Sequence, residues 1–374
     1  MTTTTPSNDA VSSNTQPAPV ANRPSPAGDG VRAALLGVAM AWCLTALVPT
    51  SVIQRSGSWS DSLEVLRATP PKALTLGIVL ALAGLVRPAA ASGWGKSTAR
   101  VLMQSCIVLA GLTMNVGEVL KAGLTGIYFT IATIVGSFGL GWVLYRLLKT
   151  DGKVTTLLSS GTAICGGSAI AAVSPVIGAT SAQISVAMAT VFVLNGVALY
   201  IFPPLGDALN LSAAQFGTWA GVAIHDTSSV YGAGQVFDLR HPGADALQQA
   251  LAVKLSRALW IAPIVFIAAW SVHRAESRSA DPAAAARKKG VFPWFIVWFV
   301  VACAVASMAP GLATSRELIR TAAGAGMTMA LLLIGIGLSR EALRTVGFKP
   351  MVQGVIQWIA LGAVSLAAVW KMST

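Results

Sequence analysis

Long apolar runs set the limits on what this chain can become. Stretches of about 17–25 residues with few charges alternate with short polar links, and each stretch is long enough to cross a bilayer core as a helix. About eleven such runs fall near residues 31–49, 72–86, 101–115, 123–148, 155–177, 184–203, 213–235, 248–272, 292–308, 322–338 and 350–370. The second and third are short. Composition agrees: 11% of the residues are charged and 54% are hydrophobic, against about 25% charged in soluble domains. The expected fold class is an all-α polytopic membrane protein.

The net charge of +12 would suggest a nucleic-acid partner in a soluble protein. Here the basic residues sit in the links, with no aromatic interleaving, so topology explains them better and no nucleic acid is expected. Links after the second, fourth, eighth and tenth runs carry Arg87, Lys96 and Arg100; Arg146, Lys149 and Lys153; Arg274, Arg278, Arg287, Lys288 and Lys289; and Arg340, Arg344 and Lys349. The opposite links hold Arg55, Arg67 and Lys72, then Lys121, Arg240, and Arg316 with Arg320. This bias places the amino terminus in the cytoplasm and the carboxyl terminus outside.

Residues 1–30, rich in Thr, Ser, Pro, Ala and Asn, lack the apolar surface that would offset ordering entropy and read as a disordered tail. The transmembrane domain is then 31–374. A cleaved signal peptide is the rival for the first run, but no small-residue cleavage pattern follows Leu47. Cys43, Cys106, Cys165 and Cys303 all fall inside apolar runs, so they read as small buried groups, with no disulfide framework, metal site or cofactor.

The fifth run contains SSGTAICGGSAIAAVSP from Ser159. Its glycines approach the spacing of a phosphate-binding loop, but Gly167 stands where that loop needs a lysine. In hydrocarbon, Gly161, Gly166 and Gly167 among Ser159, Ser160, Thr162 and Ser168 make a poor continuous helix, which is expected to unwind in its middle. A half-helix starting at Ser168 would then aim free amides and a positive dipole end at an anion. The alternative is close helix packing through small residues.

The seventh run carries His225 and Asp226, followed by Thr227, Ser228 and Ser229. Ionisable groups at that depth are costly and so are functional candidates, the alternative being an interhelical tie between Asp226 and a basic residue. In the eighth run Lys254 and Arg257 lie one turn apart and share a face. They either line an anion path or partner Asp226, or else snorkel to the headgroups. Asn195, in the sixth run, reads first as an interhelical hydrogen bond. GLTMNVGEVLKAG from Gly111 and GIGLSREALRTVG from Gly335 form a faint internal match, of the kind found in inverted-repeat transporters with discontinuous helices. A regular two-repeat arrangement would instead pair the fifth run with the tenth and put a second break at GIGLS.

Together GTAICGGSAIAAVSPVI from Gly161, WAGVAIHDTSSV from Trp219, AVKLSRALWIAPI from Ala252 and GIGLSREALRTVGFKP from Gly335 resemble the YeiH-like family of bacterial inner-membrane sulfate exporters. The resemblance covers most of the chain from Gly111 onward. It implies a multi-pass inner-membrane protein with inverted repeats and broken helices that exports sulfate or a small sulfonate. It supports Gly161, Thr162, Cys165, Gly166, Gly167, Ser168, His225, Asp226, Lys254 and Arg257 as site candidates, of which His225 and Asp226 are read as the coupling pair and the others as substrate-binding. Where the family continues Ile-His-Asp with Val-Ala-Gln, this chain has Thr227, Ser228 and Ser229, a wall richer in hydroxyls, so Thr227 and Ser228 join the substrate-binding candidates.

The expected function is a secondary active transporter of a small anion, coupled to protons or another ion, since no nucleotide-hydrolysing domain is visible. The partners expected are that anion and the lipid bilayer, with homo-oligomerisation left open. A passive anion channel and a cation/proton antiporter-like carrier of another solute are the alternatives. An enzyme using Cys165 as nucleophile and His225 as base lacks any further supporting motif, and none is expected.

Overall fold

The computed structural model describes residues 26–48, 67–86, 94–117, 127–276, 294–309, 311, 315–337 and 347–371. Most of the expected tail, residues 1–25, lies outside them. So do most of the two matched repeat segments, at 118–123 and 338–346. Every regular element among the described residues is helical.

Helix α1 (Pro26–Cys43) runs into a short tight turn of helix, Leu44–Leu47. It begins inside the expected tail, with proline at its first position, where the missing amide costs nothing. Next come α2 (Pro70–Leu82), α3 (Trp94–Gly111) and α4 (Ile127–Leu148). The fifth predicted run is two helices, α5 (Gly152–Ala163) and α6 (Gly167–Val173), and the sixth is one long helix, α7 (Ser181–Ala208). The seventh is also divided, into α8 (Ala213–Ala223) and α9 (Thr227–Arg240), and α10 (Ala246–Ala258) leads into α11 (Ile261–Glu276). The chain closes with α12 (Phe295–Met308), α13 (Arg316–Gly337) and α14 (Phe348–Lys371).

Among the described residues, five segments are long and apolar enough to cross a membrane: Tyr128–Leu148, Ser181–Ala208, Ala246–Val272, Arg316–Gly337 and Phe348–Lys371. Ala34–Leu47, Pro70–Leu82 and Phe295–Met308 are shorter apolar helices. The fifth and seventh runs, expected to cross, instead double back. Lys153 Nζ at the start of α5 donates to Gly178 O, beyond α6, at 2.7 Å, and Gln183 Nε2 reaches Asp151 Oδ2 at 3.0 Å. Both ends of the fifth run therefore lie at one end of the bundle. In the seventh, Phe216 on α8 stacks on Phe237 on α9 with ring centroids 4.0 Å apart. Arg240 and His241, at the end of α9, both pair with Asp207 at the end of α7, at 2.6 and 2.9 Å. Since α7 begins beside the first hairpin's base and ends beside the second's, the two hairpins enter from opposite ends.

Side-chain capping fixes these entries. Asp151 accepts from Lys153 N and Val154 N to open α5. Reciprocal capping boxes, Thr180 with Gln183 and Ser212 with Gln215, open α7 and α8, each satisfying two otherwise orphaned amides. Around the hairpins, α13 packs closely on α2. A β-carbon on Gly335 would stand 3.1 Å from Gly77 Cα, so this glycine serves close helix contact. The second break expected at GIGLS is thus absent as far as Gly337, where α13 ends. The break falls in the seventh run instead.

Candidate functional site

The hairpin tips meet in the interior. Gly166 caps α6 with φ 59° and ψ −120°, a left-handed conformation that L side chains rarely adopt. A β-carbon there would also lie 3.4 Å from both the carbonyl carbon and oxygen of His225. Glycine is needed at this position for conformation and for close approach alike. Gly166 N donates back to Gly161 O at 2.8 Å, closing the first turn.

Each entering arm ends on carbonyls that have no continuing helix to donate to them. Helix α10 supplies the donors. Lys254 Nζ donates to Ile224 O at 2.5 Å, and Arg257 Nη2 donates to Ala163 O at 2.5 Å. One turn of α10 thus places one cation on the inner end of each hairpin's entering arm, where the helix dipole favours positive charge. Both side chains are wholly buried, 0% exposed. Arg257 Nη1 also donates to Thr133 Oγ1 on α4 at 2.8 Å. The snorkelling reading is overturned for both, because neither reaches a bundle end.

Asp226 caps α9. Its carboxylate accepts from Ser228 N at 3.1 Å and from the Ser228 hydroxyl, while its own amide donates to Asn195 Oδ1 on α7 at 3.1 Å. The ion pairs among the described residues are Arg240 with Asp207 and Arg320 with Asp245, and His241 hydrogen-bonds to the same Asp207. Asp226 therefore forms no salt bridge with Lys254 or Arg257, contrary to the tie considered from sequence. Its carboxylate occupies the anion-favouring end of α9, whereas no side chain caps α6.

Several polar atoms at this junction are buried with no hydrogen-bond partner among the described residues: both ring nitrogens of His225, Thr162 Oγ1, Asn195 Nδ2 and Arg257 Nε. Leaving such a group unsatisfied costs about 1–3 kcal/mol each, so a cluster of them marks this junction as a candidate site.

The structure therefore brings together Thr162, Cys165, Gly166, His225, Asp226, Thr227, Ser228, Lys254 and Arg257 on the two tips and α10. Cys165 Sγ lies 2.7 Å from Ser168 Oγ, so its polar neighbour is a hydroxyl. Two glycines have other duties. Gly161 faces the returning arm, 3.2 Å from Ile170 Cδ1, and Gly167 faces α7, 3.4 Å from Met188 Sδ, each measured from a β-carbon built on the glycine. Sequence reasoning missed Thr133, Gln353 and Gln357, and underrated Asn195. Gln353 and Gln357, four apart on α14, carried a faint signal in an otherwise apolar run.

A profile of the family described as Conserved hypothetical protein 698 matches residues 47–354, a range that holds all four motifs. A UPF0324 membrane protein of Bacteroides thetaiotaomicron is 40% identical over 305 residues, covering 81% of this chain and 86% of its own. UPF0324 membrane proteins of Bdellovibrio bacteriovorus and Vibrio parahaemolyticus are each 41% identical over 297 residues, 79% of this chain, and 87% and 91% of their own. No solved structure matches. With its motifs, its apolar helices and relatives of this length in agreement, the chain is a membrane protein and belongs to the Conserved hypothetical protein 698 family, the YeiH-like group.

Proposed function

We propose that this protein is a secondary active transporter, working as an exporter of a small anion such as sulfate or a sulfonate across the bacterial inner membrane, with its amino terminus in the cytoplasm. One observation carries the reading: two opposed hairpins meet tip to tip at a buried polar junction that holds two cations and several unpartnered polar atoms. Irregular backbone at such depth is tolerated where it lines a site.

The first hairpin followed by α7, and the second followed by α10 and α11, run in opposite senses, as an inverted repeat requires. The anion binds between the α6 end at Gly166 and the two cations. To do so it draws Lys254 or Arg257 away from a helix carbonyl, so that binding loosens one hairpin at a time. That differential interaction is what alternating access requires of a ligand. Asp226, with His225, carries the coupling proton. No covalent chemistry is assigned to Cys165, and the energy comes from an ion gradient.

Purified protein in liposomes loaded with unlabelled sulfate tests this. Saturable uptake of labelled sulfate or a taurine-like sulfonate, accelerated by internal anion, is expected. Ohmic single-channel current would establish a pore instead. Cation-for-proton exchange without anion flux would establish an antiporter.

A further inference from the structure

Hydroxyl and amide side chains form a buried row where α4, α5 and α14 meet. At the bundle end that carries Arg146, Lys149 and Lys153, Thr150 Oγ1 and Thr155 Oγ1 both donate to Gln353 Oε1, at 2.8 and 3.2 Å. One turn deeper, Gln357 Nε2 donates to Ser159 Oγ at 2.9 Å and to Ser137 O at 3.0 Å. Deeper again stands Thr133, whose hydroxyl accepts from Arg257. On each helix the row keeps one face, since its members are three or four residues apart. It runs from the basic link to the tip of the first hairpin.

A row that only tied helices together would satisfy its own atoms. This one leaves Gln353 Nε2, Gln357 Oε1, Thr162 Oγ1 and Arg257 Nε buried without partners among the described residues. Gly141 lets the row close up: it sits directly against the Ser159 hydroxyl and the Gln357 amide, where any side chain would collide with them, so an ion would have to part α4 from α5 to pass. The charges have one sense. A guanidinium closes the inner end, and Arg146, Lys149 and Lys153 lie at the same bundle end as the outer one, with Arg146 over the Trp142 ring and Lys153 on Gly178 O, while the carboxylate of Asp151 is engaged in capping α5 and in holding Gln183. Such a field repels protons and metal cations and draws an anion inward, while hydroxyls and amides replace its hydration.

We propose that this row between α4, α5 and α14 is the path by which an oxyanion reaches Arg257 from the basic end of the bundle. It rests on the transporter reading and adds to it the route, the side of entry and the residues that select for charge. Coupling protons must then reach Asp226 by another way, because Arg257 bars this one.

Single cysteines at Thr155→Cys and Ser159→Cys test the path with two membrane-impermeant thiosulfonate reagents of similar size, one a sulfonate anion and the other a quaternary ammonium. The four native cysteines are buried, and the unsubstituted chain supplies the background rate. The anionic reagent should react about ten-fold faster than the cationic one, only from the face bearing Arg146, and more slowly when sulfate is added. Equal rates for the two reagents, or no reaction from either face in variants that still exchange sulfate, would overturn the path. Thr155→Cys, nearer the mouth, keeps the test decisive should Ser159→Cys misfold. If the unsubstituted protein exchanges no sulfate yet the cysteines react with the expected charge preference, the transporter reading falls while the anion path stands.

Discussion

Gly166 and His225 touch across the meeting point of two hairpins that enter from opposite ends of the bundle. Replacing Gly166 by alanine puts a β-carbon in a left-handed conformation, costing roughly 1–2 kcal/mol, and places it 3.1 Å from Val191 Cγ1 and 3.4 Å from the His225 backbone. Gly166→Ala is expected to abolish anion exchange while the protein still inserts. Gly167→Ala, whose new carbon would meet Met188 Sδ at 3.4 Å, should retain most activity. Exchange rates of the two variants at matched protein levels decide it, and equal activity would remove the junction from the mechanism.

The two cations of α10 make a second prediction, because each serves a different hairpin. Lys254→Gln and Arg257→Gln each lose a charge-assisted bond to a helix carbonyl, on the order of 1.5–3 kcal/mol. Stability losses should be nearly additive in the double variant, since Ile224 O and Ala163 O share no partner. Losses in anion affinity should be less than additive, since one ligand would engage both side chains. Thermal unfolding with and without sulfate separates the two quantities. Unchanged apparent affinity in both single variants would leave the cations a purely structural role.

The hairpins themselves can be tested by accessibility. Cysteines at Lys153 and Ser181 are expected to react with an impermeant thiol reagent from one side of the membrane, and cysteines at Ala208 and His241 from the other. A fifth run that crossed as one helix would separate Lys153 from Ser181, and that result would refute the doubling back.

How much of this was legible in sequence depended on what hydropathy encodes. The break at Gly166 was visible, because glycines and hydroxyls there oppose a continuous helix in lipid. The shared face of Lys254 and Arg257 followed from their spacing. The doubling back was not visible: residues 155–177 are as apolar and as long as a crossing helix, and apolarity says nothing of direction. What shows the return is contact, such as Lys153 with Gly178. The two runs that fail to cross flank one helix that does, so links beyond the second hairpin keep their assigned sides. Thr133, Gln353 and Gln357 stayed hidden for another reason. Thr133 and the Gln353/Gln357 pair lie on helices far apart in sequence, and only packing brings them together.

Asp226 carries the last prediction. From sequence alone, Asp226→Asn could either uncouple transport or unpair a buried cation and impair folding. The structure separates these outcomes, because the carboxylate pairs with the backbone and hydroxyl of Ser228 and with no cation. Asparagine caps a helix about as well as aspartate, so the variant is expected to reach the membrane at normal levels and to unfold within about 1 kcal/mol of the parent. It cannot take up or release a proton. Anion exchange should therefore persist, while uptake driven by a pH gradient should be lost, both measured on the same reconstituted sample. Gradient-driven uptake that survives unchanged would show that the coupling proton resides elsewhere, with His225, whose ring nitrogens have no partner among the described residues, the next residue to replace.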